Sequence, residues 1–262
     1  MTENRKQLLI TILVYIVYTG LILASNCFMR MSFLEKNETF EMISGILFGF
    51  ISIPVFSIII PIWLSKKWQL EFSFWPKTKN LFLIIFVLTI VALLLNFESI
   101  KAVMLSGITI KIFCIHYVST LLFHVTYYPL FVLLIFPVLR KNINLKSSIL
   151  ITALAFALYH LAQFYFYPAG ATLPVQIYLF SYFIMSIILY LWTESLILTS
   201  MVHQTTGALA VAANGSIHSE IDFLFFLTIP IVVFLFGYMG FYVMKNKMEL
   251  SDNWWLQFRI KG

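Results

Sequence analysis

Ile43-Ser-Gly-Ile-Leu-Phe-Gly-Phe-Ile-Ser-Ile-Pro-Val-Phe-Ser-Ile-Ile-Ile-Pro-Ile-Trp-Leu64 contains no charged side chain. A helix needs about 20 such residues to cross the hydrocarbon core of a bilayer, because each residue advances the helix by about 1.5 Å. Similar runs lie on either side: Leu8 to Cys27, Leu81 to Phe97, Tyr117 to Leu139, Ser148 to Tyr167, Gln176 to Trp192, Leu196 to Ala213 and Phe223 to Val243. The expected fold is therefore all-α, a polytopic membrane helix bundle of about eight transmembrane helices forming a single domain over residues 1–262. The stretch Ala102 to Ile115 is short and carries Lys111, so it reads as an interfacial helix. The sixth and seventh spans must be joined by a tight turn at Trp192-Thr193-Glu194-Ser195.

Composition points the same way. Of 262 residues, 61% are apolar and 11% charged, whereas a soluble domain is roughly half apolar and a quarter charged. Disorder, collagen and coiled coil are excluded. The net charge of +6 does not imply a nucleic-acid partner, since the basic residues are scattered between apolar runs. Cys27 and Cys114 match no redox or metal spacing.

Cytoplasmic loops collect Lys and Arg, so charge placement orients the bundle. With eight crossings, Arg5, Lys6, Lys66, Lys67, Lys77, Lys79, Arg140, Lys141, Lys146, Lys245, Lys247, Arg259 and Lys261 share one side; only Arg30, Lys36, Lys101 and Lys111 fall on the other. Thirteen against four places both termini in the cytoplasm. Trp68, Trp75, Trp254 and Trp255 suit the headgroup level. The first span is too long for a signal-peptide core and is retained as a membrane helix.

Polar side chains within hydrocarbon need a partner or a cavity, which makes them the first places to seek function. His124, His160 and His203 lie in the fourth, fifth and seventh spans. His124 is seven residues from Tyr117 and His160 seven from Tyr167, both roughly 10 Å below the extracytoplasmic end. His203 is ten residues from Ala213, roughly 15 Å deep. Each lies on a polar stripe at helical spacing: Thr120, His124, Tyr127 and Tyr128; His160 and Gln163; Thr199, Ser200, His203, Thr206 and Gly207. Such stripes commonly serve as interhelical packing contacts, and a single membrane histidine is more often a hydrogen-bond donor than a ligand. Three imidazoles at one level are also a sufficient ligand set for Zn²⁺ with an open fourth position.

Phe156-Ala-Leu-Tyr-His160 matches an FxxxH motif, and Thr193-Glu-Ser-Leu-Ile-Leu-Thr-Ser-Met-Val-His203 is similar to the segment leading into an HxxxN motif. Over about Tyr117 to Ala213 the chain thus resembles the CPBP (CAAX protease and bacteriocin-processing) family of intramembrane metalloproteases. The family's first motif, EExxxR, has no counterpart. Its glutamate pair falls on Phe123-His124 or on Tyr127-Tyr128, and Gly207 stands where HxxxN ends in Asn.

The resemblance implies a metal-dependent intramembrane endopeptidase in a bacterial plasma membrane. Its substrate would be a membrane-associated peptide or a lipidated protein, as in bacteriocin processing or self-immunity. His160, His203 and His124 would be zinc ligands, His124 alternatively the base, and Tyr127 or Tyr128 an electrophilic donor. A glutamate is the usual base in such a site, and its loss removes about 10² to 10⁴ in rate. A second expectation is therefore a catalytically lapsed scaffold or immunity protein that binds a peptide. A third, a small-solute transporter, rests on the span count and the interior polar stripe. Glu194 suits a turn at a helix start, where the dipole favours a carboxylate. Asn37-Glu-Thr39 and Asn214-Gly-Ser216 fit the glycosylation acceptor pattern.

Overall fold

A computed structural model describes residues 2–70, 126–163, 173–193, 195–197 and 199–200. Among these, every regular element is helical. Expectations resting on the third and eighth spans, the segment Ala102 to Ile115, Glu194 and the second acceptor pattern lie outside the described residues. The chain divides into two compact units, Met1–Phe72 with Thr126–Ile184 and Met248–Gly262, and Ser73–Val125 with Met185–Lys247.

In the first unit, α1 (Glu3–Glu35) is 33 residues long, about 50 Å of helix. It overruns the expected end at Cys27 because neither glycine nor proline interrupts residues 28–35. It stops where Lys36 turns left-handed at φ 51°, and the Lys36 and Asn37 N–H groups both donate to the Ser32 carbonyl. Asn37 then starts the next helix, its side-chain oxygen accepting from the Thr39 N–H at 2.9 Å. The expected outer loop from residue 28 to 42 thus shrinks to a sharp turn.

Helix α2 (Glu38–Lys67) has a π-helical stretch over Ile46–Ile59 with Pro54 inside it. Proline lacks an N–H, and its ring crowds the carbonyl four residues back, so the wider π turn accommodates it. The helix closes on a left-handed Gln69 at φ 52°, with Leu70 N–H donating to Ser65 O at 2.9 Å and Gln69 N–H to Lys66 O at 3.2 Å.

The described part of the expected fourth span departs from one straight α-helix. A turn at Thr126–Tyr127 precedes α3 (129–142), which is π-helical over Pro129–Ile135 and α-helical over Phe136–Asn142. Pro129 suits a first turn, where an N–H has no helical acceptor. After a short link, α4 (Leu145–Gln163) begins at Asn144, whose side chain accepts from the Ser147 N–H at 2.8 Å. Helix α5 (Leu173–Thr193) brackets the expected sixth span.

Hydrogen bonds fix how α1 to α4 run. The Tyr15 hydroxyl donates to Ala155 O at 2.8 Å and Asn26 Nδ2 to Gln163 O at 2.7 Å, so α1 and α4 are parallel. Ser25 Oγ reaches Ser44 O at 3.0 Å across the sharp turn, so α2 returns antiparallel to α1. Ser57 Oγ donates to Thr126 O and Ser65 Oγ to Leu133 O, so α3 runs with α2. The starts of α1 and α4 and the ends of α2 and α3 therefore lie at one end of the bundle. Helices α1, α2 and α4 are long and apolar enough to cross a membrane.

These bonds share a logic. In hydrocarbon every backbone polar group must be satisfied within the protein. Hydroxyls and one amide on α1 and α2 supply donors to carbonyls of α4, of α3 and of the turn before it.

Candidate functional site

The core of the first unit is a layer of aromatic rings. Phe131 of α3, Phe156 and Tyr159 of α4 and Phe183 of α5 are fully buried. Phe156 stacks on Phe183 at 3.9 Å between centroids, and Phe131 meets Phe156 edge-on at 5.2 Å. Such arrangements suit the ring quadrupole. The i, i+3 spacing of Phe156 and Tyr159 turns both rings inward, and His160 follows on the adjoining flank.

His160 is buried, with its ring centroid 4.1 Å from that of Phe156 and 4.9 Å from that of Tyr159. Its Nδ1 lies 3.0 Å from the Phe156 carbonyl oxygen, four residues back on the same helix. A carbonyl only accepts, so Nδ1 carries the proton, and in the neutral ring Nε2 presents its lone pair. Metal-binding histidines are commonly oriented in this way, the second nitrogen donating to a carbonyl or carboxylate. In this motif the aromatic residue supplies packing through its ring and tautomer control through its main chain. The donor chemistry of His160 therefore fits a zinc ligand.

Tyr127 and Tyr128 are both buried and diverge. Tyr127 packs against Tyr159 at 5.7 Å, whereas Tyr128 faces Phe183 at 5.6 Å. His124 and His203 lie outside the described residues, as do Thr120, Thr206 and Gly207. Among the described residues no group of three metal-ligating side chains occurs. In the second unit, Thr199 Oγ1 donates to Ser195 O at 2.8 Å and Ser200 Oγ to Ile197 O at 2.9 Å, so these members of the expected stripe bond their own backbone.

Tyr18 and Tyr159 belong to the site and were not singled out from the sequence. Their rings stack at 5.2 Å, 15° from parallel. Both are fully buried, and neither hydroxyl reaches hydrogen-bonding geometry among the described residues. A signal for Tyr18 exists: Thr11, Tyr18, Ser25 and Ser32 recur every seventh residue of α1, and all four are buried. A polar heptad in an apolar helix marks the face turned to its neighbours. Tyr159 carries no comparable signal, since it is embedded in the FxxxH segment.

No family model, curated protein or solved structure matches the chain.

Proposed function

We propose that this protein is a membrane-embedded, metal-dependent endopeptidase of the CPBP type, an eight-span bundle in a bacterial plasma membrane with both termini cytoplasmic. The observation that carries the reading is the His160 Nδ1 bond to Phe156 O at 3.0 Å, which commits Nε2 to act as a lone-pair donor within a water-poor core. His160 and His203 would be ligands, and His124 a third ligand or the base. Bound there, Zn²⁺ would supply an acidified water and a polarised peptide carbonyl. The chain's own residues do the rest. The Phe156 carbonyl holds the imidazole tautomer, the aromatic layer excludes bulk water, and Tyr127 offers a hydroxyl next to Tyr159. The substrate class is a membrane-associated peptide or lipidated tail.

The test is zinc content of the purified protein beside His160→Ala. About one zinc per chain, lost in the variant, is the expected result. Equal, near-zero metal in both would remove the assignment.

One observation favours a second reading, a lapsed relative that binds a peptide as a scaffold or immunity protein. Among the described residues no Asp or Glu is buried, so none of them offers an interior carboxylate base, and neutral tyrosine is a weak one. Under this reading, His124, His160 and His203 changed together to Ala leave the cellular phenotype intact in a folded protein. Loss of the phenotype would contradict it.

A further inference from the structure

At one end of the described helices the charges are one-sided. Arg5 and Lys6 begin α1, Lys66 and Lys67 end α2, Arg140 and Lys141 end α3, and Lys146 opens α4; Glu3 is the one described acid there. Glu35, Glu38 and Glu41 sit around the sharp turn at the opposite end. A general preference for basic cytoplasmic loops accounts for the sign of this end. It does not account for Arg140.

Arg140 is half-buried, whereas its neighbours' side chains are engaged with backbone carbonyls. Lys141 Nζ donates to Trp68 O at 3.2 Å, tying the end of α3 to the end of α2, and Asn142 Nδ2 donates to Val138 O at 2.8 Å. Arg140 has no carboxylate partner among the described residues, and burial lowers the pKa of its guanidinium. A guanidinium left this way calls for an anion, and its planar fork matches the oxygens of a phosphate. The surroundings indicate the source. Trp63 is exposed, with Lys67 Nζ held 4.9 Å over its ring, and Trp68 closes the same helix end. Indoles beside cations mark the headgroup level of a bilayer, and basic recesses between membrane helices on the cytoplasmic side suit anionic headgroups.

We infer that Arg140, with Lys66 and Lys67 of the adjoining helix end, forms a binding site for the phosphate of an anionic phospholipid, with Trp63 against the glycerol and upper acyl region. The site is separate from His160, which lies toward the other end of α4, and it stands or falls independently of the peptidase reading.

The experiment is native mass spectrometry of the full chain released from mixed micelles containing equal amounts of phosphatidylglycerol and phosphatidylcholine. The expected result is retention of the anionic lipid at least tenfold above the zwitterionic one. Arg140→Gln should reduce that preference to about twofold, and so should Lys66→Gln combined with Lys67→Gln. Lys36→Gln, at the opposite end, should leave it unchanged. The paired lysine variant keeps the test decisive if Arg140→Gln does not fold. Equal retention of both lipids by the wild type overturns the inference, as does wild-type preference in a folded Arg140→Gln variant or in the paired lysine variant. Thermal stabilisation by inorganic phosphate, at matched ionic strength, equal to that by the lipid would assign the site to free phosphate and overturn the lipid.

Discussion

Ser65 Oγ on α2 donates to the Leu133 carbonyl of α3 at 2.6 Å. Leu133 lies in the π-helical stretch just before Pro137, which has no N–H to give a carbonyl four residues back. Ser65 is fully buried, so the donor is supplied from a neighbouring helix and not by water. Ser65→Ala should therefore destabilise the protein by about 1 kcal/mol, the net worth of a buried hydrogen bond between membrane helices. Restoring the N–H with Pro137→Ala should shrink that cost. Equal Ser65→Ala costs in the two backgrounds, measured by reversible unfolding in micelles, would show that the serine is not compensating for the proline.

Asn26 does similar work at the end of α4. Its Nδ2 lies 2.7 Å from Gln163 O and 3.3 Å from Ala162 O, the last two described carbonyls of α4. Asn26→Ala should cost about 1 kcal/mol. Asn26→Asp should cost more, although it is the closer match in shape, because an ionised carboxylate has only lone pairs to set against two carbonyl oxygens. A thermal midpoint for the Asp variant at or above that of the Ala variant would mean the amide is not the donor.

Phe156 is pinned between Phe183 at 3.9 Å and His160 at 4.1 Å, with Phe131 edge-on. Truncation to Ala should cost about 3 to 5 kcal/mol, the usual range for a buried phenylalanine, and Phe156→Leu substantially less. The His160 acceptor is the residue's main-chain oxygen, so a folded Phe156→Leu variant should keep the Nδ1–H tautomer. The ¹⁵N shifts of the His160 ring should be unchanged within the scatter of conservative core variants. A switch to Nε2–H would show that the ring, and not the carbonyl, sets the tautomer.

Length and hydrophobicity made the helices legible. The runs beginning at Leu8, Ile43 and Gln176 lie within helices of the structure, and the run from Ser148 does so as far as Gln163, where the described residues stop, because burying twenty apolar residues in helical form overrides weaker local signals. Their ends were less legible. Lys36 and Gln69 terminate helices in left-handed conformations with no glycine to announce them, and Asn37 serves as a cap where its sequence pattern suggested only glycosylation. The π-helical stretches were invisible because they answer to Pro54 and Pro129 in their tertiary setting. At the site, the FxxxH spacing located His160, but the i−4 carbonyl that fixes its tautomer is backbone, which every sequence has. Tyr18 was readable from a polar heptad; its stacking on Tyr159 depends on α1 and α4 running parallel, which no local pattern encodes.

That stacking leads to the last prediction. The hydroxyls of Tyr18 and Tyr159 are sealed from solvent, and neither reaches hydrogen-bonding geometry among the described residues. A buried hydroxyl without a partner carries a desolvation cost of about 1 to 3 kcal/mol that a bare phenyl ring does not. Tyr18→Phe and Tyr159→Phe should therefore leave stability unchanged or raise it by up to about 1 kcal/mol, since the rings and their stacking are kept. If the hydroxyls serve the peptide-binding interior, the same variants should weaken function while the protein becomes no less stable, the familiar exchange between a poised polar group and a quiet core. Chemical denaturation and the cellular phenotype, read on the same two variants, separate the possibilities. A loss of more than about 1 kcal/mol in either variant would mean that its hydroxyl is already hydrogen-bonded in the resting protein and holds the helices together.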